Sequence, residues 1–462
     1  MMKPPRTSRV SPALVPVLAS LLLAALGCSK SKEPHPTTPA NVRSDAHPPA
    51  TDDPTSPKVE PAMPKLNADP SAMPAAAAGD LAFARALHAE LLKEQGNLFF
   101  SPASIRLAMA MTAMGARGKT ADELTQGLSL DKDLTKAAAG FAAILNSFAQ
   151  RSQVTLRPGM SDWEREEAER RASTVAIANR VWPQAGRHFE QAFIDTMAAS
   201  FGAPMQPLDF AAGTEAARKV INAWVAEQTA QKIPELLLPP HVQPDTKIIL
   251  TNAIYFKAQW DESFSERATR ELPFTTADGA KKPVQMMSRG GFMEYAETPT
   301  YQALNLPYAD GSLSMTLLLP RKGQSLAEVE AAALADGAAP LTAQRVHLQL
   351  PKFKIEARFS LAKTLAKLGM TSAFTYGPAD FSGIDGTREL FIGDVVHQAV
   401  ISVDERGTEA AAATAVGMRA GAAAPTAPPK EFFADRPFAF FLRDAKTGVV
   451  LFVGRLADPS AK

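Results

Sequence analysis

Apolar positions recur at helical spacing from Asp80 onward. Leu81, Phe83, Ala84, Leu87, Leu91 and Leu92 mark one face of an amphipathic helix. Pro102, followed by Ile105, Ala108, Met109, Thr112 and Ala113, predicts a more deeply buried helix that starts beside a serine cap. The run 162–172 carries mixed charges suited to a solvated helix, and 221–229 keeps the helical period. After about residue 246 the period shortens. Segments 247–256, 313–319, 346–350, 391–402 and 449–456 are rich in β-branched and apolar residues and bounded by Gly, Pro or Asp, so they read as strands. Helices first and strands afterwards predict an α+β fold. No repeat or linker interrupts 80–459, which reads as one domain.

Upstream of Asp80 the pattern fails. Lys3, Arg6 and Arg9 precede an apolar run of about fourteen residues, Ala13 to Leu26, closed by Gly27 and Cys28, which fits an export signal over 1–27. A helix that spans a bilayer needs about twenty residues. From 29 to 79 hydrophobic periodicity is lost and prolines recur, at Pro34, Pro36, Pro39 and on to Pro70 and Pro74. Such a stretch builds no core and extends as a polyproline-like spacer, so 28–79 is expected to be a linker.

The segment Leu23-Ala24-Ala25-Leu26-Gly27-Cys28 resembles the lipobox of bacterial lipoproteins. Ala25 and Leu26 stand exchanged relative to that pattern. The resemblance implies that Cys28 is acylated and that the chain is exported and membrane-anchored, facing the periplasm or the exterior. Ser29, rather than an aspartate, favours the outer membrane. Several acyl chains hold a protein firmly, whereas one does so marginally.

Composition removes other classes. With 49 basic and 48 acidic residues among 462, no global field favours a nucleic-acid backbone. A single cysteine excludes an internal disulfide and any multi-cysteine metal site, and no metal or cofactor is expected. Gly115-Ala116-Arg117-Gly118-Lys119-Thr120 imitates the end of a phosphate-binding loop, but Ala113 stands where the first glycine is required. Neither a Gly-x-Ser-x-Gly elbow nor a His-Glu-x-x-His pair occurs, and the seven histidines are scattered, which argues against a hydrolase.

The most informative stretch follows the 391–402 strand. Glu405-Arg406-Gly407-Thr408-Glu409 leads into Ala410-Ala411-Ala412-Ala413 and a further run of small residues. Laid down as a strand, Thr408, Ala410, Ala412, Thr414, Val416 and Met418 share one face, while Glu409 and Arg419 fall on the other. A loop of this kind enters a packed sheet without burying a charge, and Gly407 supplies hinge freedom.

Here the chain resembles the hinge of inhibitory serpins, and the rest of the domain agrees in order. Asn97-Leu98-Phe99-Phe100-Ser101-Pro102 with the following Leu-Ala-Met-Ala-Met resembles the family's buried second helix. Leu250-Thr251-Asn252-Ala253-Ile254-Tyr255-Phe256-Lys257 with Trp260 resembles a central strand, and Leu368-Gly369-Met370, Val396-His397-Gln398-Ala399, Arg436-Pro437-Phe438 and Phe452-Val453-Gly454-Arg455 follow. The resemblance implies a serpin fold with a central mixed or antiparallel sheet and an exposed reactive-centre loop at about 405–430. Departures are Gln398, Asp458-Pro459, and a longer stretch at 150–173, where acidic residues offset the arginines and favour a solvated helix over a polyanion site.

The resemblance further implies a suicide inhibitor of serine proteases, not an enzyme, whose loop is cleaved and then inserted into the central sheet. The hinge is Glu405 to Ala413. In the family the scissile residue lies about fourteen positions beyond the hinge glycine, which gives the bond Gly421–Ala422, with Arg419–Ala420 as the alternative. Small residues there suit an elastase-like or subtilisin-like protease, while Arg419 suits a trypsin-like one. Ser101, Ser104, Asn252 and His397 match a hydrogen-bonded cluster beneath the sheet. Trp260 is grouped with them as a conformational residue and, with Glu405, matches the region where the loop first enters. The expected partners are a target protease and the membrane, with no nucleic acid and a monomeric chain. Alternatives are a non-inhibitory carrier on the same fold, an inhibitor of papain-like cysteine proteases, and a surface lipoprotein that binds without covalent chemistry.

Overall fold

The computed structural model describes residues 65–93, 96–151, 159–336, 339–408 and 428–461, all within one compact unit, Pro61–Lys462. Helix α1 (Met73–Leu91) carries a proline in its first turn, where the missing N–H has no intrahelical partner to lose, and buries Phe83, Ala84, Leu87 and Leu91. Strand β1 (Leu98–Phe100) precedes helix α2 (Pro102–Ala113), which starts where Ser101 Oγ accepts the Ser104 N–H at 3.1 Å. Eleven of the twelve α2 residues are buried. Helices α3 (Gly118–Gly127), α4 (Leu134–Arg151) and α5 (Asp162–Arg171) follow. The first turn of α5 is exposed and is fixed by a reciprocal capping box between Ser161 and Glu164, in line with the solvated helix expected there.

Strand β2 (Thr174–Pro183) then intervenes before helices α6 (Gln191–Phe201) and α7 (Phe210–Gln228). The expected order of helices first and strands afterwards is therefore interrupted by β1 and β2. Next come β3 (Ile248–Gln259), β4 (Arg270–Thr275), β5 (Lys281–Glu297), β6 (Tyr301–Pro307) and β7 (Leu313–Pro320). Helix α8 (Leu326–Asp336) leads to β8 (Thr342–Pro351) and β9 (Phe353–Ser360). The chain ends with β10 (Val396–Val403), β11 (Gly407–Thr408), β12 (Lys430–Phe433), β13 (Phe438–Asp444) and β14 (Val450–Leu456). The strand expected over 391–402 begins only at Val396, because the preceding backbone turns away and Ile392 N–H bonds Ala373 O at 2.9 Å.

Two sheets result. One runs β1-β14-β13-β7-β6-β5-β8-β12, with β4 on β5; the other runs β2-β3-β11-β10-β9 and is antiparallel throughout. Along β3 the two faces serve different cores. Ile254, Phe256 and Ala258 join the main core, whereas Ala253 joins a second cluster in which Trp182, Phe210, Ile221 and Val225 pack α7 against β2 and β3. The β2–β3 part of the five-stranded sheet is thus covered on both faces, whereas Lys354, Glu356 and Arg358 leave the outer face of β9 exposed. A buried ion pair lies under the other sheet: Arg455 holds Glu330 through two hydrogen bonds of 2.8 and 2.7 Å, with His88 Nε2 at 3.3 Å.

The boundary expected at residue 79 is too late. Leu66 is only 5% exposed and belongs to the main core. Its N–H donates to Asn146 Oδ1 and its carbonyl accepts from Asn146 Nδ2, both at 3.3 Å, and the Asn67 N–H donates to Ala199 O at 2.7 Å. Pro70 and Pro74, expected to be spacer, open a short 3-10 turn (Pro70–Ala72) and α1, where their fixed φ fits. The linker of 28–79 and the domain start at 80 are corrected accordingly: the strap 65–72 is part of the folded body.

Candidate functional site: a parted sheet and its hinge

Two residues separate β3 from β10. Gly407 and Thr408 pair with Gln259 and Ala258 on one side, and Thr408 pairs with Val403 on the other. Because β11 is antiparallel to both neighbours, β3 and β10 run in the same direction. Among the described residues, β3 and β10 share no register of their own; each pairs only with β11 and with its outer neighbour. The sheet is joined at one end of these strands and parted below it.

The wedge fits because of what occupies it. A Cβ on Gly407 would stand 2.2 Å from Ala258 O and 2.7 Å from Gln259 Cα, so the close backbone approach requires glycine. Thr408 points into the main core and is 1% exposed, the side that the alternation of the following residues assigns to it.

Trp260 and Glu405 hold the turn that feeds the wedge, as expected for the entry region. The Trp260 N–H donates to Arg406 O at 2.8 Å, its indole Nε1–H donates to Asp404 O at 3.0 Å, and the Phe264 N–H donates to Glu405 O at 2.8 Å. Asp404 Oδ1 accepts from the N–H groups of Arg406 and Gly407 at 2.9 and 3.2 Å, closing the turn. The Glu405 carboxylate pairs with Lys352 Nζ at 2.8 Å and accepts from Thr269 Oγ1 at 2.7 Å. Burial alone would raise this carboxyl, but those two hydrogen bonds hold it below the ordinary carboxylate range. Arg406 reaches Glu266 at 3.2 Å, and these side chains rim a polar cavity of about 420 Å³ that also touches Gln285.

Beneath the parting, four of the five residues expected to form the conformational cluster are linked. His397 Nε2 on β10 accepts the Ser101 N–H at 3.1 Å, Ser101 Oγ accepts the Ser104 N–H, and Ser104 Oγ bonds Asn252 Oδ1 on β3. The seam continues through a residue that the sequence reading missed. Asn252 Nδ2 donates to Asn179 Oδ1 on β2 at 2.7 Å, and Asn179 Nδ2 donates to Phe201 O at the end of α6 at 3.1 Å. Burial pushes the His397 ring down to about 3, so it is a neutral acceptor. Trp260 has other partners, at the hinge and on Tyr308, and its grouping with this cluster is corrected.

The departures noted in the sequence have local partners: Gln398 Oε1 accepts from Arg358 at 2.7 Å, and Asp458 pairs with Lys282 at 2.6 Å. Among the described residues no group of three or more His, Cys, Asp or Glu is placed to hold a metal ion. Glu409 to Ala413, Arg419, Ala420, Gly421, Ala422 and Cys28 lie outside the described residues.

The five-stranded sheet is thus parted around a glycine-led wedge, with a hydrogen-bonded seam below it. The chain belongs to the serpin family of serine protease inhibitors, whose sequence profile matches residues 78–459. It is 37% identical over 377 residues to rat leukocyte elastase inhibitor A, covering 79% of this chain and 93% of that one. It is 39% identical over 372 residues to human serpin B8, with the same coverage. Serpin48 of the insect Tenebrio molitor superposes with a TM-score of 0.71 at 30% identity, covering 84% of this chain and 99% of that one. The strap that contains Leu66 lies upstream of the profile match.

Proposed function

We propose that the protein is a suicide inhibitor of serine proteases that works by cleavage and insertion of its reactive-centre loop. The observation that carries this reading is the wedge: the hinge already occupies the first rung of a slot between β3 and β10. The target's serine Oγ attacks the carbonyl carbon of Gly421, an ester forms, the bond to Ala422 breaks and the new amine departs with a proton. The freed loop then adds to the sheet in antiparallel register, exchanging solvated backbone for sheet hydrogen bonds and burial, and carries the acyl-enzyme with it. Continuing the observed register, loop residue 418 falls opposite Ile248, the first residue of β3. The scissile Gly421 therefore lies just past the end of the slot, whereas cleavage at Arg419 would leave a strand that barely fills it.

The uncharged hinge, Ala410 to Ala413, favours inhibition over a carrier role, because a carrier has no need of residues that slip into a sheet. The small residues flanking Gly421 favour an elastase-like or subtilisin-like target, and one relative's name, leukocyte elastase inhibitor A, accords with that choice. We read Cys28 as the lipid attachment point that tethers the domain to the bacterial outer membrane through the segment 29–64.

The deciding experiment mixes the domain with elastase-like, trypsin-like and papain-like serine or cysteine proteases and seeks a complex that survives SDS. A complex with the first, and a released C-terminal peptide beginning at Ala422, is the expected result. If each protease only nicks the loop and stays active, the inhibitory reading fails; a peptide beginning at Ala420 moves the scissile bond to Arg419.

A further inference from the structure

Thr408, the second residue of the wedge, carries a hydroxyl into the main core. Its Oγ1 stands 2.7 Å from the hydroxyl of Tyr308, and the two residues are 1% and 0% exposed. Among the described residues neither hydroxyl has another side-chain partner. Each therefore depends on the other, and drawing Thr408 out of the sheet strands a phenol in a site that water does not reach.

Tyr308 is itself held rigidly. It follows β6, and its N–H donates to Leu313 O at 2.9 Å at the start of β7. Its ring stacks on Trp260, centroids 4.6 Å apart and planes 12° from parallel, and meets Phe256 of β3 edge-on at 5.2 Å. The same Trp260 holds Asp404 and Arg406 through its indole and backbone N–H groups. The backbone leading into Thr408 and the aromatic platform under it thus share one support. Burial pushes the Tyr308 phenol well above its ordinary range, so it remains protonated and available to the Thr408 oxygen.

We propose that Tyr308 is a positioning residue for loop insertion: it latches Thr408 and thereby fixes the first rung, and with it the register, from which the rest of the loop is added. The consequence is kinetic. With the first rung made, insertion starts without a search for register, and a one-residue slip would turn Glu409 toward the core. The proposal rests on the inhibitory reading for its effect on inhibition, but the latch itself is measurable without any protease.

The test compares the full chain with Tyr308→Phe, Thr408→Val and the double variant. Amide hydrogen exchange across 404–408, read by mass spectrometry, is expected to quicken about tenfold in each single variant, since each leaves one buried hydroxyl unpaired. The double variant removes both hydroxyls and is expected to return to within about twofold of the parent, a coupling that a general loss of packing would not produce. Against a protease that forms the SDS-resistant complex, Tyr308→Phe is expected to raise severalfold the number of inhibitor molecules consumed per protease inhibited, with the rate of loop cleavage unchanged. Unchanged exchange in both single variants, or additive effects in the double, overturns the latch. Coupled exchange with unchanged stoichiometry overturns its role in insertion. If no protease forms a complex yet exchange is coupled, the inhibitory reading falls while the latch stands, and its role in insertion is then decided by whether Tyr308→Phe slows the gain in stability after loop cleavage.

Discussion

The ring Nε2 of His397 accepts the backbone N–H of Ser101 at 3.1 Å, so the seam beneath the parted sheet depends on an uncharged imidazole. Burial holds that ring at about 3, against about 6.5 for an exposed histidine. The unfolded chain takes up this proton at a higher pH than the native one, so the contribution of His397 is fully present above about 6.5 and is lost as the pH falls toward 3. Native stability is expected to decline by about 1.4 kcal/mol per pH unit from this group across that window. Denaturant titrations between pH 7 and 4 check it, with His397→Gln expected to flatten the slope. An equal slope in that variant would assign the loss to other groups.

The wedge sets a steric rule for the loop. Thr408 is packed against Tyr308 inside the sheet, and in an inserted strand Ala410 and Ala412 would continue on the same face. Ala410→Arg is expected to leave the intact protein stable but to slow insertion, because a guanidinium would have to be buried without a partner. The protease then deacylates first, and gel analysis should show mostly cleaved inhibitor with active protease. Glu409→Arg, on the opposite face, should change the outcome little.

Lys352 and Glu405 fasten the turn above the wedge with an ion pair of 2.8 Å, and Glu405 is buried while Lys352 is partly exposed. Removing the lysine leaves a buried carboxylate with Thr269 as its side-chain partner. Lys352→Ala is expected to cost about 1–3 kcal/mol of native stability and to make the intact protein more prone to self-association on warming. Denaturant melts and size-exclusion chromatography after incubation provide the readouts, and Lys352→Arg should recover most of the loss.

Leu66 links the linker question to stability. Its side chain is buried beside α4 and α6, where Gly202 would carry a Cβ only 3.6 Å from it. Leu66→Ala is expected to cost about 2–4 kcal/mol. Removal of 1–64 should be neutral, whereas removal of 1–72 should destabilise at least as much as Leu66→Ala. Equal stability of the two truncations would return the strap to the linker.

The parts of the fold that were legible are those in which one pattern dominates: the capped, almost wholly buried α2 and the apolar runs of β3, β7, β8 and β14. β2 was not, although Val175, Ile177 and Val181 alternate as a half-buried strand should. Asn179 takes the one inward position between them and reads as a break in the pattern, because its partners come from β3 and α6. A buried asparagine within an otherwise alternating run is the signal that would have found both the strand and the missing seam residue. Leu66 was hidden for a related reason: a single apolar residue among prolines has no period, and its burial is decided by Asn146 about eighty residues away. Trp260 was placed in the right region but with the wrong neighbours, since family likeness supplies a role and only geometry supplies contacts.

The register of β11 also sets where an inserted loop would meet the seam. In the proposed insertion each further step along the loop would move one residue back along β3 and along β10, which would set residue 414 opposite both Asn252 and His397. On the inward face from 408 to 418 the polar side chains are Thr408 and Thr414. An inserted Thr414 would thus arrive where Asn252 and His397 already exchange hydrogen bonds with α2 and β2, and its hydroxyl would pair with groups released as the strands separate. Thr414→Val is expected to leave the intact protein unchanged, because the interaction exists only after insertion. The cleaved, inserted form should lose about 1–3 kcal/mol, as for a buried polar group deprived of its partner. Guanidinium melts of intact and cleaved protein, with and without the substitution, separate the two effects. A cleaved Thr414→Val protein as stable as the cleaved parent would mean that insertion follows another register, and Ala412→Thr and Val416→Thr would then show by which residue it is shifted.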